Sequence, residues 1–398
     1  MTNWKEYKVE DVASVQTGPF GTQLHQKDYV MVGTPIITVE HLGDNRITYQ
    51  NLPKVSDEDK QRLKKYHLQE GDVVFSRVGS VDRRALVTKK EDGWLFSGRC
   101  LRVRADEQKA NGAFLSYYFG QESFKEYIRR IAVGATMPSI NTTILSEIII
   151  YLPPLPTQTA IAEILSSLDD KIELNNKINQ ELENLAQTLF KQWFIDFEFP
   201  NQNGEPYKSS GGEMVDSELG EIPKGWEVGI FGEICKLSTG KGIKKKDYLF
   251  DGSYPVIGAN GVMGFYDKFN TEGFKILTGR VGTLGTVRIN TEKVWTSDNV
   301  IVCSPKSEEL DHFAYYVLSS FNFEALNRGS TQPLLTQTDL KSQVIIIPSF
   351  NVLKTFNFQL DSQYSIVSNN KNENKELTNL RDTLLPKLIS GELEVKKT

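Results

Sequence analysis

The 398-residue sequence predicts an α+β protein in which two homologous domains are joined by a long antiparallel two-helix coiled coil, with pseudo-two-fold symmetry. Three observations predict it. The chain repeats itself, each repeat is built of short β-type runs broken by glycine, and each repeat ends in a helix of heptad pattern.

The repeat sets the architecture. Trp4, Val12 and Thr17-Gly18 have counterparts in Trp226, Ile234 and Thr239-Gly240, and Lys27-Asp28-Tyr29 matches Lys246-Asp247-Tyr248. Arg77-Val78-Gly79-Ser80 corresponds to Arg280-Val281-Gly282-Thr283, while Gly134, Pro138 and Pro153 correspond to Gly329, Pro333 and Pro348. The offset shrinks along the chain, so the first copy carries roughly twenty extra residues between Pro35 and Arg77, an insertion that alters a surface and leaves the fold alone.

The first domain spans residues 1–153, with strands expected at 73–75, 101–103 and 148–152 and helix around 114–131. The second spans 226–348, with strands at 276–277, 300–302 and 344–347 and helix around 312–326. Between them lie a central helix at 154–200 and a linker at 201–225; a C-terminal helix with its tail fills 349–398. In the central helix Ile161, Leu165, Leu168, Ile172, Asn175, Asn179, Leu182, Ala186, Leu189 and Trp193 follow alternating steps of four and three, the seam of a coiled coil. The same steps from Phe356 to Leu388 give a second seam, with Asn370 and Asn374 where the first has Asn175 and Asn179. Two such seams cover each other most simply as an antiparallel pair, and buried asparagines would fix its register. Thr157 is the expected N-cap of the first helix, and Pro386 should kink or end the second near Leu385.

The charge is unevenly distributed. The whole chain carries −5, yet the first domain is +2, residues 154–213 are −6, and residues 214–348 are −2. The acidity therefore does not exclude a nucleic-acid partner. No apolar run is long enough to span a membrane and the first twenty residues are rich in charge, which places the protein in the cytoplasm. Three cysteines without a CxxC pair and four scattered histidines predict neither a disulfide framework nor a metal site. No phosphate-binding loop, HExxH, GxSxG or zinc-deaminase signature occurs, so a binding protein is expected and no catalytic residue is assigned. The carboxylates Asp169-Asp170 read as solvated helix charge.

Two groups of residues stand out as candidate sites. Phe20, Gln23, Lys27, Arg77, Arg83 and Arg84 in the first domain, and Lys241, Lys244, Lys245, Lys246, Asn260 and Arg280 in the second, are candidates for DNA contact. Glycine-rich loops let backbone N–H groups approach phosphates, Lys and Arg neutralise them, and Arg, Asn and Gln can read base edges. A solvated surface face is the competing reading, and Arg99, Arg102 and Arg104 belong to the same basic cluster. The aromatic group Phe190, Trp193, Phe194 and Phe197 is either packing or a docking surface for a partner helix.

Particular motifs then carry a resemblance. Leu152-Pro153-Pro154-Leu155-Pro156, Ile161-Ala162, Leu168-Asp169-Asp170-Lys171-Ile172, Phe190-Lys191-Gln192-Trp193-Phe194, Phe197-Glu198-Phe199-Pro200 and Gly220-Glu221-Ile222-Pro223-Lys224-Gly225-Trp226 resemble the DNA specificity subunit of type I restriction-modification enzymes. The second helix departs from the first, because Pro348-Ser349-Phe350-Asn351 replaces the proline cluster. The resemblance implies two target recognition domains, each reading half of a bipartite, asymmetric double-stranded DNA site, and no catalysis or cofactor in this chain. It implies two methyltransferase subunits that use S-adenosylmethionine, and two restriction subunits that use ATP and Mg. A two-headed scaffold that binds only proteins is the alternative.

Overall fold

The computed structural model describes residues 4–21, 23–329 and 332–395. The chain packs as two units, residues 1–175 with 372–398 and residues 176–371.

In the first unit β1 (Lys5–Lys8) pairs with β9 (Ile149–Leu152), closing the domain at its ends. A single turn, α1 (Val9–Val12), leads into β2 (Ala13–Thr17). Strand β3 (Thr34–Ile37) lies between β4 (Lys54–Val55) and β7 (Leu95–Phe96) in a three-stranded sheet. A four-stranded sheet has the order β2-β8-β5-β6, with β5 (Val73–Ser76), β6 (Arg84–Leu86) and β8 (Cys100–Ala105). The helix α2 (Asp57–Arg62) falls inside the insertion read from the repeat. Helices α3 (Gly112–Gly120), α4 (Glu122–Ile131) and α5 (Thr142–Ser146) complete the domain.

Strand alternation explains why β5 is buried along its whole length. Val73 and Phe75 point into one core with Leu101, Val103 and Phe114, while Val74 points into a second with Ile36, Ile37, Phe96 and Cys100. A strand covered on both faces reads as a continuous apolar run.

The long helix α6 (Leu155–Phe190) belongs to the first unit as far as Asn175 and to the second from Asn176. A π turn at Lys191–Ile195 follows and places Trp193 and Phe194 together in the domain core. The expected linker is folded: β10 (Met214–Ser217) and β11 (Gly220–Pro223) form a hairpin whose Ile222 is buried with Phe197, Phe199 and Trp226.

The elements after it retrace the first unit. The strand β12 (Glu227–Ile230), the turn α7 (Phe231–Ile234) and β13 (Cys235–Thr239) stand where β1, α1 and β2 stood. Next come β14 (Tyr254–Gly258), β15 (Gly261–Tyr266), β16 (Lys275–Gly279), β17 (Val287–Asn290), β18 (Trp295–Thr296) and β19 (Val300–Pro305). Helices α8 (Asp311–Ser319) and α9 (Gln337–Lys341) precede β20 (Val344–Ile347). The sheets have orders β13-β19-β16-β17 and β15-β14-β18, and β12 pairs with β20, the topology of the first unit strand for strand. The core on the second sheet face is smaller here, Leu277, Val300 and Val302, because this copy lacks the inserted segment.

The final helix, α10 (Phe350–Ser390), is shared like α6. Every seam position in both helices is buried or half-buried. Within the first unit Asn175 Nδ2 donates to Glu373 Oε2 at 2.7 Å and Asn374 Oδ1 at 2.9 Å. Within the second, Asn370 Nδ2 donates to Asn179 Oδ1 at 2.9 Å. From Asp169 to Asn175 on α6 the α10 partners descend from Arg381 to Asn374, and from Asn179 to Glu183 they descend from Asn370 to Tyr364, so within each unit the two segments run in opposite directions.

Two helix boundaries differ from expectation. α6 starts at Leu155 rather than after Thr157, because Pro156 sits in the first turn, where a missing N–H costs nothing. α10 continues through Pro386 to Ser390, since Leu388 and Ile389 are buried in the first unit's core and hold the last turn in place.

Candidate nucleic-acid interface

Arg77 and Arg280 stand on the same turn in the two units. The Arg77 N–H donates to Arg99 O at 2.8 Å and the Arg280 N–H to Asn299 O at 2.8 Å. Arg77 O accepts from Ile140 N at 3.0 Å, and Arg280 O from Leu335 N at 2.9 Å. Two residues on, Gly79 N donates to Pro138 O at 2.8 Å and Gly282 N to Pro333 O at 3.0 Å; both glycines have φ +81°, a left-handed conformation that costs glycine nothing. The arginines are thus mounted on rigid backbone, and both are half-buried.

In the first unit Arg77 also donates from Nη1 to Gly98 O at 3.1 Å, and its guanidinium lies 5.4 Å from the Phe20 ring centroid. Phe20 is half exposed and borders an open cleft of about 700 Å³ together with Tyr29, Glu40, Arg83 and Arg99. Lys27 is exposed. Gln23 is tied inward, its Oε1 accepting from Tyr66 OH at 2.6 Å and its carbonyl from Arg62 Nη1 at 2.8 Å. Arg83 donates to Leu42 O.

The rest of the arginine cluster is structural. Arg84, expected to contact DNA, is 4% exposed; its Nε donates to Ser116 O at 2.7 Å, and burial holds its pKa below the ordinary guanidinium range. Gly120 leaves room for it, because a Cβ there would stand 1.8 Å from Arg84 Nη2. Arg104 forks onto both oxygens of Asp72 at 2.7 Å, and Arg102 donates to His67 O at 3.2 Å.

In the second unit Lys241, Lys244, Lys245 and Lys246 are exposed, and the Lys241 carbonyl accepts from Trp295 Nε1 at 2.7 Å. Asn260 is exposed at the tip of the β14–β15 hairpin. The structure thus keeps nine of the DNA-contact candidates at or near the surface, leaves Gln23 and Arg83 partly engaged, and removes Arg84.

The aromatic group is not a surface. Phe190, Trp193, Phe194 and Phe197 are each at most 8% exposed. Phe194 lies 4.8 Å from both Phe313 and Phe356, Phe190 stacks on Tyr316 at 5.3 Å, and Phe197 meets Trp226 at 5.6 Å. These rings join α6 to the second domain, so the docking expectation gives way to packing. Among the exposed apolar side chains of the two long helices, Leu185 on α6 and Phe358 on α10 line one groove of the second unit.

Asp169, expected as solvated helix charge, is buried instead. It is 5% exposed, accepts from Tyr117 OH at 2.6 Å and from Arg381 Nη1 at 2.8 Å, and is joined by Asn45 Nδ2 at 3.3 Å. Burial, then the Asp169 charge, raises the Tyr117 pKa and keeps its hydroxyl a donor. Arg381 also pairs with Asp44 at 2.8 Å, which fastens α10 to the first domain. Sequence periodicity places Asp169 one step past the seam, and only the position of Arg381 in the second seam hints at a partner.

The repeated α+β unit carrying an arginine turn, with long helices between, defines the class. The model of the type I restriction modification DNA specificity domain matches residues 1–184 and 223–379, and the chain belongs to that family. It is 30% identical over 307 residues to the type I restriction enzyme MjaIX specificity subunit of Methanocaldococcus jannaschii, covering 71% of this chain and 69% of the relative. It is 24% identical over 475 residues to the type I restriction enzyme HindI specificity subunit of Haemophilus influenzae, covering 99% and 100%. Its fold is similar to the type I restriction-modification system S subunit from M. genitalium, with a TM-score of 0.63, 18% identity, and coverage of 100% and 97%.

Proposed function

We propose that this chain is the sequence-reading subunit of a type I restriction-modification enzyme, each unit reading one half of a bipartite, asymmetric double-stranded DNA site. The observation that carries the proposal, beside the family match, is the arginine turn built twice with the same hydrogen bonds. Rigid mounting suits a reader, because a guanidinium carried on a fixed backbone can be aimed at the O6/N7 edge of guanine. Exposed Lys27, Lys241 and Lys244 to Lys246 supply phosphate contacts.

In this reading α6 and α10 form one antiparallel coiled coil relating the two domains by a pseudo-two-fold axis. The 32 steps of the seam from Ile161 to Trp193 correspond to roughly 50 Å, a target on the order of 13 to 15 base pairs. The chain itself is non-catalytic and binds no cofactor. It positions two methyltransferase subunits, which use S-adenosylmethionine, and through them two restriction subunits, which use ATP and Mg. The exposed apolar groove at Leu185 and Phe358 is the partner surface in place of the buried Trp193 group. Domains near neutrality, at +2 and −2, take much of their phosphate affinity from those partners.

The test is binding to duplex DNA by the complex with its methyltransferase across a salt series. Steep loss of affinity with salt, together with competition by one sequence only, is expected; salt-independent binding without sequence preference favours a protein scaffold.

A further inference from the structure

Met31 and Phe250 are the most exposed large apolar side chains of the described residues, at 91% and 98%. They occupy the same place in the two copies, two residues beyond the matching Lys27-Asp28-Tyr29 and Lys246-Asp247-Tyr248 segments. Both are held out by backbone fastened on either side. Before them, Val30 N donates to Lys54 O at 2.9 Å and Leu249 N to Phe265 O at 2.9 Å. After them, Gly33 and Gly252 press against the neighbouring strands β4 and β15. An added Cβ would stand 2.0 Å from Val55 O at Gly33 and 2.7 Å from Tyr266 N at Gly252. The backbone on either side of each tip is thereby held against its neighbouring strand.

A single exposed apolar residue needs no explanation. Two at one repeat position, each on a loop anchored at both ends, do, because nothing in folding favours the arrangement twice. Both loops carry lysines: Lys27 is exposed and Lys54 Nζ donates to Met31 O at 3.4 Å, while exposed Lys244 to Lys246 precede Phe250; Asp28, Asp247 and Asp251 are interleaved with them. Tyr29, on the same loop as Met31, lines the cleft shared by Phe20 and Arg83. An apolar tip on a lysine-bearing loop suits nucleic acid, with phosphates for the lysines and an apolar base surface for the tip.

We infer that Met31 and Phe250 each make the apolar base contact of their own half-site, a second reading element beside the arginine turn. The inference rests on the DNA-reading function proposed above. The base surface is either a thymine methyl in the groove or the face of a partly unstacked base.

The experiment measures duplex binding and half-site preference for the methyltransferase complex carrying Met31→Ser or Phe250→Ser. Each variant, being a surface change, keeps its assembly with the methyltransferase, binds roughly tenfold more weakly and relaxes base choice in one half-site only. Deoxyuridine for thymine reproduces the loss if the contact is a methyl. A 2-aminopurine signal that rises with the parent complex and not with the Ser variant marks an unstacked base. Affinity within twofold of the parent and unchanged base choice overturn the inference while leaving DNA reading intact, as does loss of methyltransferase assembly with DNA preference retained. A parent complex with no sequence preference overturns the function itself.

Discussion

Side chains of one type divide sharply by where the backbone puts them. Arg77 and Arg280 sit half-buried just past the ends of β5 and β16, whereas Arg84 and Arg104 are engaged by Ser116 and Asp72 inside the first domain. Trp193 belongs to the interior, 5.6 Å from Phe356. Trp193→Ala should therefore destabilise the second unit by about 3–5 kcal/mol, and any loss of methyltransferase binding should follow unfolding in a denaturant titration rather than precede it. Asp311 offers a pH test. Burial, then the Glu308 charge, raises its pKa from 3.8 to about 7, with Asp361 and Glu309 adding to the shift and Lys275 opposing it. The folded state then holds a proton that the unfolded chain has released, so stability of this unit falls as pH rises from about 4 to about 7. Thermal melts of Asp311→Asn across that range should show a flatter profile than the parent; an unchanged slope would assign the pH dependence elsewhere.

Among the elements, the helices were the most legible from sequence. A seam of alternating steps needs only side-chain period to be read, and every one of its positions is buried or half-buried. The repeat was legible for the same reason, since glycines and prolines at turns survive where packing residues drift, and both copies share one strand order. The folded 201–225 segment was not, because its hairpin depends on Ile222 finding the Phe199 and Trp226 rings of a distant core. Nor was Pro386, whose local preference is overridden by burial of Leu388 and Ile389. In the site, loop composition indicated basic and aromatic residues, but the depth of Arg84 is set by Gly120 across the domain and has no local signal. Replacing Pro386 by Ala restores a backbone donor and removes a ring clash, so a higher melting temperature is expected. Asn179→Leu alone should destabilise by leaving Asn370 without its 2.9 Å partner, whereas the double change to Leu at both positions should be neutral or stabilising; a double-mutant cycle on melting data decides it.

In the whole molecule, two units of one topology each contain part of both long helices. Inserting four residues into each helix, near Asn175 and Asn370, should lengthen the unread spacer by one or two base pairs and leave both half-sites unchanged. The most direct measurement is methylome sequencing of cells expressing this chain with its methyltransferase, comparing the parent with Arg77→Ala and Arg280→Ala. A bipartite asymmetric motif is expected, in which each substitution relaxes a different half and spares the other. A continuous motif, or equal damage to both halves by either substitution in a folded protein, would contradict it.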